Sequence, residues 1–127
     1  HILLVKRKAS PGKGLLALPG GFLEQGETIV NGIVRELVEE TEIGLGFNIL
    51  KGNIKSIKVF DHPDRSLRGR TITHAGFIPL MFNKLPEVKG SDDAEHAYWV
   101  PLGKIESLSD MFFEDHYSLI KWFTKVG

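Results

Sequence analysis

Glu36, Glu39 and Glu40 stand at i, i+3 and i+4 in the stretch from Gly21 to Glu40, G-F-L-E-Q-G-E-T-I-V-N-G-I-V-R-E-L-V-E-E. On a helix those offsets put three carboxylates on one face, within a single turn. No Lys or Arg follows in the next turn to neutralise them, and each like-charged i,i+4 pair costs about 0.2–0.5 kcal/mol. A divalent cation converts that repulsion into ligation, and hard oxygen donors suit Mg²⁺ or Mn²⁺. Residues 24–42 hold six acids (Glu24, Glu27, Glu36, Glu39, Glu40, Glu42) against Arg35. Residues 51–70 hold six bases (Lys51, Lys55, Lys58, Arg65, Arg68, Arg70) against Asp61 and Asp64. An acidic cluster and a basic loop suit a metal-assisted enzyme acting on a phosphate substrate. Two independently solvated surfaces would give the same counts.

The elements that must hold these groups follow from pattern. Thr28 is placed to cap a helix running to about Thr41, with Ile29, Ile33 and Leu37 as its apolar stripe, widened by Val30 and Val34. Pro19-Gly20-Gly21 ends a short strand at Leu15–Leu18, its glycines open to backbone angles that other residues avoid. Further strands are expected at Ile2–Lys8, Ile54–Phe60, Thr71–Leu80 and Ala97–Val100, with a polar loop at 61–70. A second helix is expected at about 114–125, with Tyr117, Ile120 and either Trp122 or Phe123 turned inward. Strands flanking one long helix, with another helix at the end, predict an α/β sandwich.

The 127 residues, 42% hydrophobic, suffice for one domain, which at this size buries about two-thirds of its unfolded surface. Zero formal net charge argues against general binding to nucleic acid or an acidic membrane. The absence of Cys excludes disulfides and thiolate chemistry and fits a reducing, cytoplasmic setting. No apolar run approaches the roughly 20 residues of a membrane-spanning helix. The chain opens at His1 directly inside an apolar strand. Because a strand edge needs a partner or protection, the expectation is a fragment lacking its first strand.

The segment resembles the Nudix box, G-x5-E-x7-R-E-U-x-E-E-x-G-U with U a bulky aliphatic. Gly21, Glu27, Arg35, Glu36, Leu37, Glu39 and Glu40 fill their positions. Six fixed residues at roughly one in fifteen each put a chance match on the order of 10⁻⁷ per starting point. One position departs: the late glycine is Glu42, with Gly44-Leu45 two residues on, which reads as a local insertion lengthening the helix exit. The resemblance implies a Nudix fold, an α/β/α sandwich with a mixed sheet, and hydrolysis of a nucleoside diphosphate linked to another moiety. It implies Glu36 and Glu40 as principal metal ligands, Glu39 as a third ligand or the base, and the Gly21 carbonyl as a further ligand. It also implies Glu27 and Arg35 as the pair that orients the catalytic helix. A further family acid comes from a later loop, where Asp93 is the candidate, with Asp92 and Glu95 behind it; a solvated Asx turn accounts for them as well.

Phe60-Asp61-His62-Pro63-Asp64-Arg65, then Arg68-Gly69-Arg70-Thr71-Ile72 and Ser91-Asp92-Asp93-Ala94, resemble the ADP-ribose pyrophosphatase branch. They are similar to the Nudix half of bifunctional nicotinamide-mononucleotide adenylyltransferase/ADP-ribose pyrophosphatase proteins, in which the adenylyltransferase comes first. That implies ADP-ribose hydrolysis to AMP and ribose 5-phosphate within NAD metabolism, a homodimer, and an upstream domain. Arg70 is the candidate phosphate ligand, because guanidinium forks match phosphate oxygens. Arg65 and Arg68 are further candidates, although loop arginines are often only solubilising. Phe60 is a candidate for stacking on adenine, although a Phe at a strand end more often belongs to the core. Asp115-His116 reads either as a family feature or as a helix cap with a packed imidazole. Two alternatives stand beside this reading. One is a Nudix enzyme acting on an oxidised nucleotide or a dinucleoside polyphosphate. The other is a non-catalytic ADP-ribose sensor, whose box often loses carboxylates that are all present here.

Overall fold

The computed structural model describes residues 1–89 and 94–125, with the backbone alone at 94 and 95. Strand β1, Ile2–Arg7, is apolar on both faces: Leu3, Leu4 and Val5 are all buried. A strand buried on both sides must lie in a middle layer. Strand β2, Leu16–Ala17, pairs with β1 on one edge, and strand β5, Ala94–Val100, runs antiparallel along the other from Ile2↔Val100 to Arg7↔Ala94. Among the described residues β1 is therefore the central strand of three, in the order β2-β1-β5. All described ladders are antiparallel. The parallel component expected of a mixed sheet is the single bridge Leu16↔Phe112, fixed by Phe113 N–H donating to Leu16 O at 2.7 Å.

Helix α1, Ile29–Thr41, and helix α2, Phe47–Gly52, cover one face of this sheet, where Leu3 meets Val34, Ile43 and Leu50. Helix α3, His116–Thr124, and two 3₁₀ turns, Leu102–Lys104 and Glu106–Met111, cover the other. There Leu4 meets Ile105, Phe112 and Ile120. The α/β/α sandwich holds. A separate antiparallel pair, β3 (Ser56–Phe60) and β4 (Thr73–Phe77), packs on α1, where Ile33 lies over Gly76 with no room for a larger residue to enter without displacing it. The stripe of α1 is centred one residue later than expected, on Val34, Leu37, Val38 and Thr41.

Helix ends differ in instructive ways. Thr28 caps α1 as expected, accepting from Asn31 N–H at 3.1 Å. At the other end no insertion is needed. Glu42 itself takes the left-handed conformation (φ 47°, ψ 39°) and its N–H returns to Val38 O at 2.8 Å. The box glycine position is thus filled conformationally by a glutamate. Left-handed backbone is costly for an L side chain and natural for glycine. Glu42→Gly should therefore raise the unfolding free energy by about 0.5–1 kcal/mol. The readout is a higher urea midpoint at unchanged slope; a midpoint that stays or falls would refute it. The exposed contact of Glu42 with Lys89, at 3.8 Å, is too weak to reverse the sign.

The C-terminal helix starts at His116, not at 114, because Glu114 is also left-handed (φ 48°). Asp115 occupies the cap position, its carbonyl accepting from Leu119 N–H at 3.1 Å, but its side chain bonds no helix N–H. Of the two inward candidates, Phe123 is the more buried, partly covered and stacked on Phe77 at 5.7 Å, while Trp122 stays half exposed.

Candidate active site

The carboxylate face of α1 is assembled around one arginine. Arg35 Nε donates to Glu27 Oε2 at 2.6 Å and Nη2 donates to Glu27 Oε1 at 2.9 Å, a two-pronged pair. Nη1 reaches Glu36 Oε1 and, at 3.1 Å, Glu39 Oε2, with Glu24 at 3.6 Å. Nη2 also donates to the carbonyl of Phe22 at 3.1 Å. The carboxylates are thus neutralised from within the helix, by a residue preceding them, and not by a following turn. Glu27's hydrogen bond to Arg35 holds its carboxyl below the usual carboxylate range, and that same bond holds the guanidinium more firmly protonated.

Glu40 is buried, and its Oε1 accepts from Gly20 N–H at 2.6 Å. The neighbouring Gly21 lies so close to Glu36 that a side chain there would collide with the carboxyl group. Gly21 therefore lets the loop backbone settle directly onto the Glu36 carboxyl group, which would have to move to admit a Cβ, whereas a Cβ at position 20 would meet open space. This places the sequence-predicted Gly21, Glu27, Arg35, Glu36, Glu39 and Glu40 in one locality. The donors are all oxygen, which in kind fits a hard divalent ion. Among the described residues, no three acids or histidines converge on one point in this conformation: Arg35 draws Glu36 and Glu39 to itself, and Gly20 holds Glu40.

The basic loop departs from expectation. Arg65 is not a free phosphate ligand. Its side chain is 5% exposed and its fork grips both Asp115 oxygens at 2.8 Å, with Nη1 on Thr73 Oγ1 at 2.7 Å. Phe60 belongs to an aromatic cluster, edge-on to Trp122 and Phe123 at 6.2 and 6.1 Å, so its expected role as an adenine platform gives way to packing. Arg70 is exposed. Asp92 and Asp93 lie outside the described residues, as does the side chain of Glu95. His116 Nδ1 accepts from Leu18 N–H at 3.0 Å, just before the box turn, and burial pushes its pKa down to about 4. Residues not anticipated in the site's surroundings are Phe22, 77% exposed beside the carboxylates, and Glu114, whose side chain is 2% exposed. Neither side chain carries a local signal, since their partners in the basic loop lie 46–48 residues away in sequence.

A carboxylate-bearing helix pinned by an arginine to a double-glycine turn, in an α/β/α sandwich, defines a class. The chain belongs to the NUDIX domain family, whose model matches residues 1–123. It is 38% identical over 120 residues to an ADP-ribose pyrophosphatase of Methanocaldococcus jannaschii, covering 94% of this chain and 63% of that protein. A crystal structure of a bifunctional NMN adenylyltransferase/ADP ribose pyrophosphatase from Francisella tularensis, complexed with AMP and a Mn ion, matches with a TM-score of 0.94. That match has 49% identity and covers 100% of this chain and 38% of the other. The NUDIX domain of Shewanella oneidensis NrtR, solved with ADP ribose, matches with a TM-score of 0.72 and 25% identity, over 97% of this chain and 75% of that one. The chain thus spans less than two-thirds of the archaeal enzyme and about two-fifths of the Francisella protein. No helix among the described residues is long and apolar enough to cross a membrane.

Proposed function

We propose that this domain hydrolyses the diphosphate of ADP-ribose to AMP and ribose 5-phosphate with a divalent metal, Mg²⁺ or Mn²⁺, as part of NAD metabolism in the cytoplasm. The observation that carries the reading is the carboxylate face of α1, held by Arg35 against the Gly20–Gly21 turn. Water adds across one P–O bond of the diphosphate; the bridging oxygen leaves with one phosphate, and the water oxygen stays on the other as its proton is lost. When bound, the metal neutralises the diphosphate and makes a bound water acidic enough to attack. Glu36 and Glu40, with the Gly21 carbonyl, would hold it. Glu39, the most exposed of the three carboxylates, would serve as a further ligand or take the proton, and Asp93 is an alternative base. Arg35 and Glu27 keep the face in register. Arg70, exposed, would receive a phosphate, Arg65 being engaged by Asp115.

Support for the substrate comes from what the Methanocaldococcus and Francisella proteins are named for. The similarity to an ADP-ribose-responsive repressor of Acinetobacter baylyi, 29% identical over 129 residues, favours a sensor as the second reading. An upstream adenylyltransferase, as in the Francisella protein, and a homodimer belong to the same proposal. Exposed Ile57 and Val59 on β3 offer apolar surface that a second copy would cover.

The test is a panel of ADP-ribose, nucleoside triphosphates and dinucleoside polyphosphates with Mg²⁺ or Mn²⁺, with products identified. ADP-ribose should give the highest kcat/KM, and Arg70→Ala should lower it by about tenfold or more, the worth of a charged hydrogen bond. Preferred turnover of triphosphates would overturn the substrate. Tight ADP-ribose binding without turnover would make the domain a sensor. Sedimentation at 14.2 kDa rather than twice that mass would remove the dimer.

A further inference from the structure

We propose that Glu114 and Asp115, at the head of α3, are positioning residues that hold the basic loop 61–70 against the catalytic turn, so that Arg68 is presented beside Phe22 to the substrate. The proposal rests on the hydrolase reading above. Asp115 takes the Arg65 fork at 2.8 Å on each oxygen. Glu114 Oε2 accepts from Ser66 Oγ at 2.8 Å and from Leu67 N–H at 2.9 Å, and Oε1 faces Arg68 Nη2 at 3.6 Å. Four consecutive loop residues, Arg65 to Arg68, are therefore held by two consecutive carboxylates. Glu114 does this with a nearly buried side chain and a left-handed backbone (φ 48°) that glycine would adopt more readily. The backbone favours glycine at 114, whereas the loop needs the carboxylate.

The clamp leads towards the site. Beyond its anchor, the Arg68 guanidinium lies 5.5 Å from the Phe113 ring centroid and 5.7 Å from that of Phe22. Phe22 presents an open ring, and its carbonyl is held by the Arg35 that binds Glu36 and Glu39. The Arg68 side chain is one-third exposed, and its distance to Glu114 exceeds a hydrogen bond. A partly exposed guanidinium beside an exposed aromatic face, adjoining catalytic carboxylates, suits the phosphorylated sugar or base of a nucleotide. A merely structural staple would join loop and helix with no consequence at Phe22.

Three variants separate the two. Glu114→Gly removes the carboxylate while relaxing the backbone; Glu114→Gln retains size and an acceptor for Leu67 and serves if the glycine variant does not fold. Arg68→Ala removes the presented group. Hydrogen exchange on the ligand-free protein should rise about tenfold across 61–72 in Glu114→Gly, as expected when a local clamp is released. KM for ADP-ribose should rise about tenfold with kcat within about twofold, the signature of lost substrate binding. The half-saturating Mg²⁺ concentration should not move. Arg68→Ala should give the same KM, and the double variant no further increase, because the two act in series. Unchanged exchange, an unchanged KM, or additive KM effects would each overturn the proposal. A wild type that turns over no ADP-ribose defeats the hydrolase reading instead. The exchange comparison then decides the anchoring: faster exchange upholds it and unchanged exchange overturns it.

Discussion

Glu40→Gln should lower kcat/KM by about 10³-fold or more, while the protein folds as before. Metal ions supply several kcal/mol of charge stabilisation to the transition state, and about 4 kcal/mol corresponds to that factor. The neutral amide keeps the size of the carboxylate but is a much poorer ligand for a hard cation. The fold should tolerate it for a specific reason. The structural role of Glu40 is to accept from Gly20 N–H at 2.6 Å, and the amide oxygen of Gln accepts equally well. Replacing one of the like charges on the α1 face also removes about 0.2–0.5 kcal/mol of repulsion per i,i+4 pair. Kinetics over a Mg²⁺ titration and a thermal melt decide it. A variant that stays active with unchanged metal affinity would end the assignment of Glu40 as a ligand. A variant that fails to fold would instead show that the fold needs the full carboxylate of Glu40, and not only an acceptor for Gly20 N–H.

Acidification should unfold the protein through His116. Burial lowers its pKa to about 4 from 6.5; Arg65 and Arg68 push the same way, while Asp115 and Glu114 oppose it. The unfolded chain binds a proton between those values and the folded chain does not. Stability due to this group is therefore complete above pH 6.5 and is withdrawn as pH falls towards 4. The loss accumulates to about 3 kcal/mol, at 1.36 kcal/mol per pKa unit. The geometry gives the reason: Nδ1 must stay unprotonated to accept from Leu18 N–H at 3.0 Å. Asn at position 116 offers an oxygen close to the place of Nδ1 and does not titrate in this range. Urea unfolding across pH 7 to 4 should show a steep decline in the wild type and a shallower one in His116→Asn. Parallel declines would show that carboxylates, Glu27 among them, account for the acid sensitivity.

The carboxylate-bearing helix α1 was legible because its information is local. Thr28 as the cap, the positions of Glu36, Glu39 and Glu40 on one face, and Gly21 and Arg35 at box spacing all lie within about 20 residues. Helical periodicity converts such separations directly into positions in space. The sandwich was legible for a related reason, since a helix and strands with apolar stripes have few ways to bury them. The helix exit was misjudged because the box pattern records a residue type, whereas the chain needs a conformation, which Glu42 adopts at φ 47°. Helix α2 and the two 3₁₀ turns were missed because one or two turns are too short to display a period.

By itself, then, the sequence determined the family and the placing of three carboxylates on one face of α1. Only the tertiary structure decided what each arginine of the basic loop does. Arg65, Arg68 and Arg70 look alike in the chain, yet Arg65 is gripped by Asp115, Arg68 lies over Phe22, and Arg70 stays exposed. A guanidinium offers five donors to whatever acceptors the fold brings within about 3 Å. Two of those arginines meet acceptors 46 to 50 residues away, and no local pattern specifies a contact of that separation.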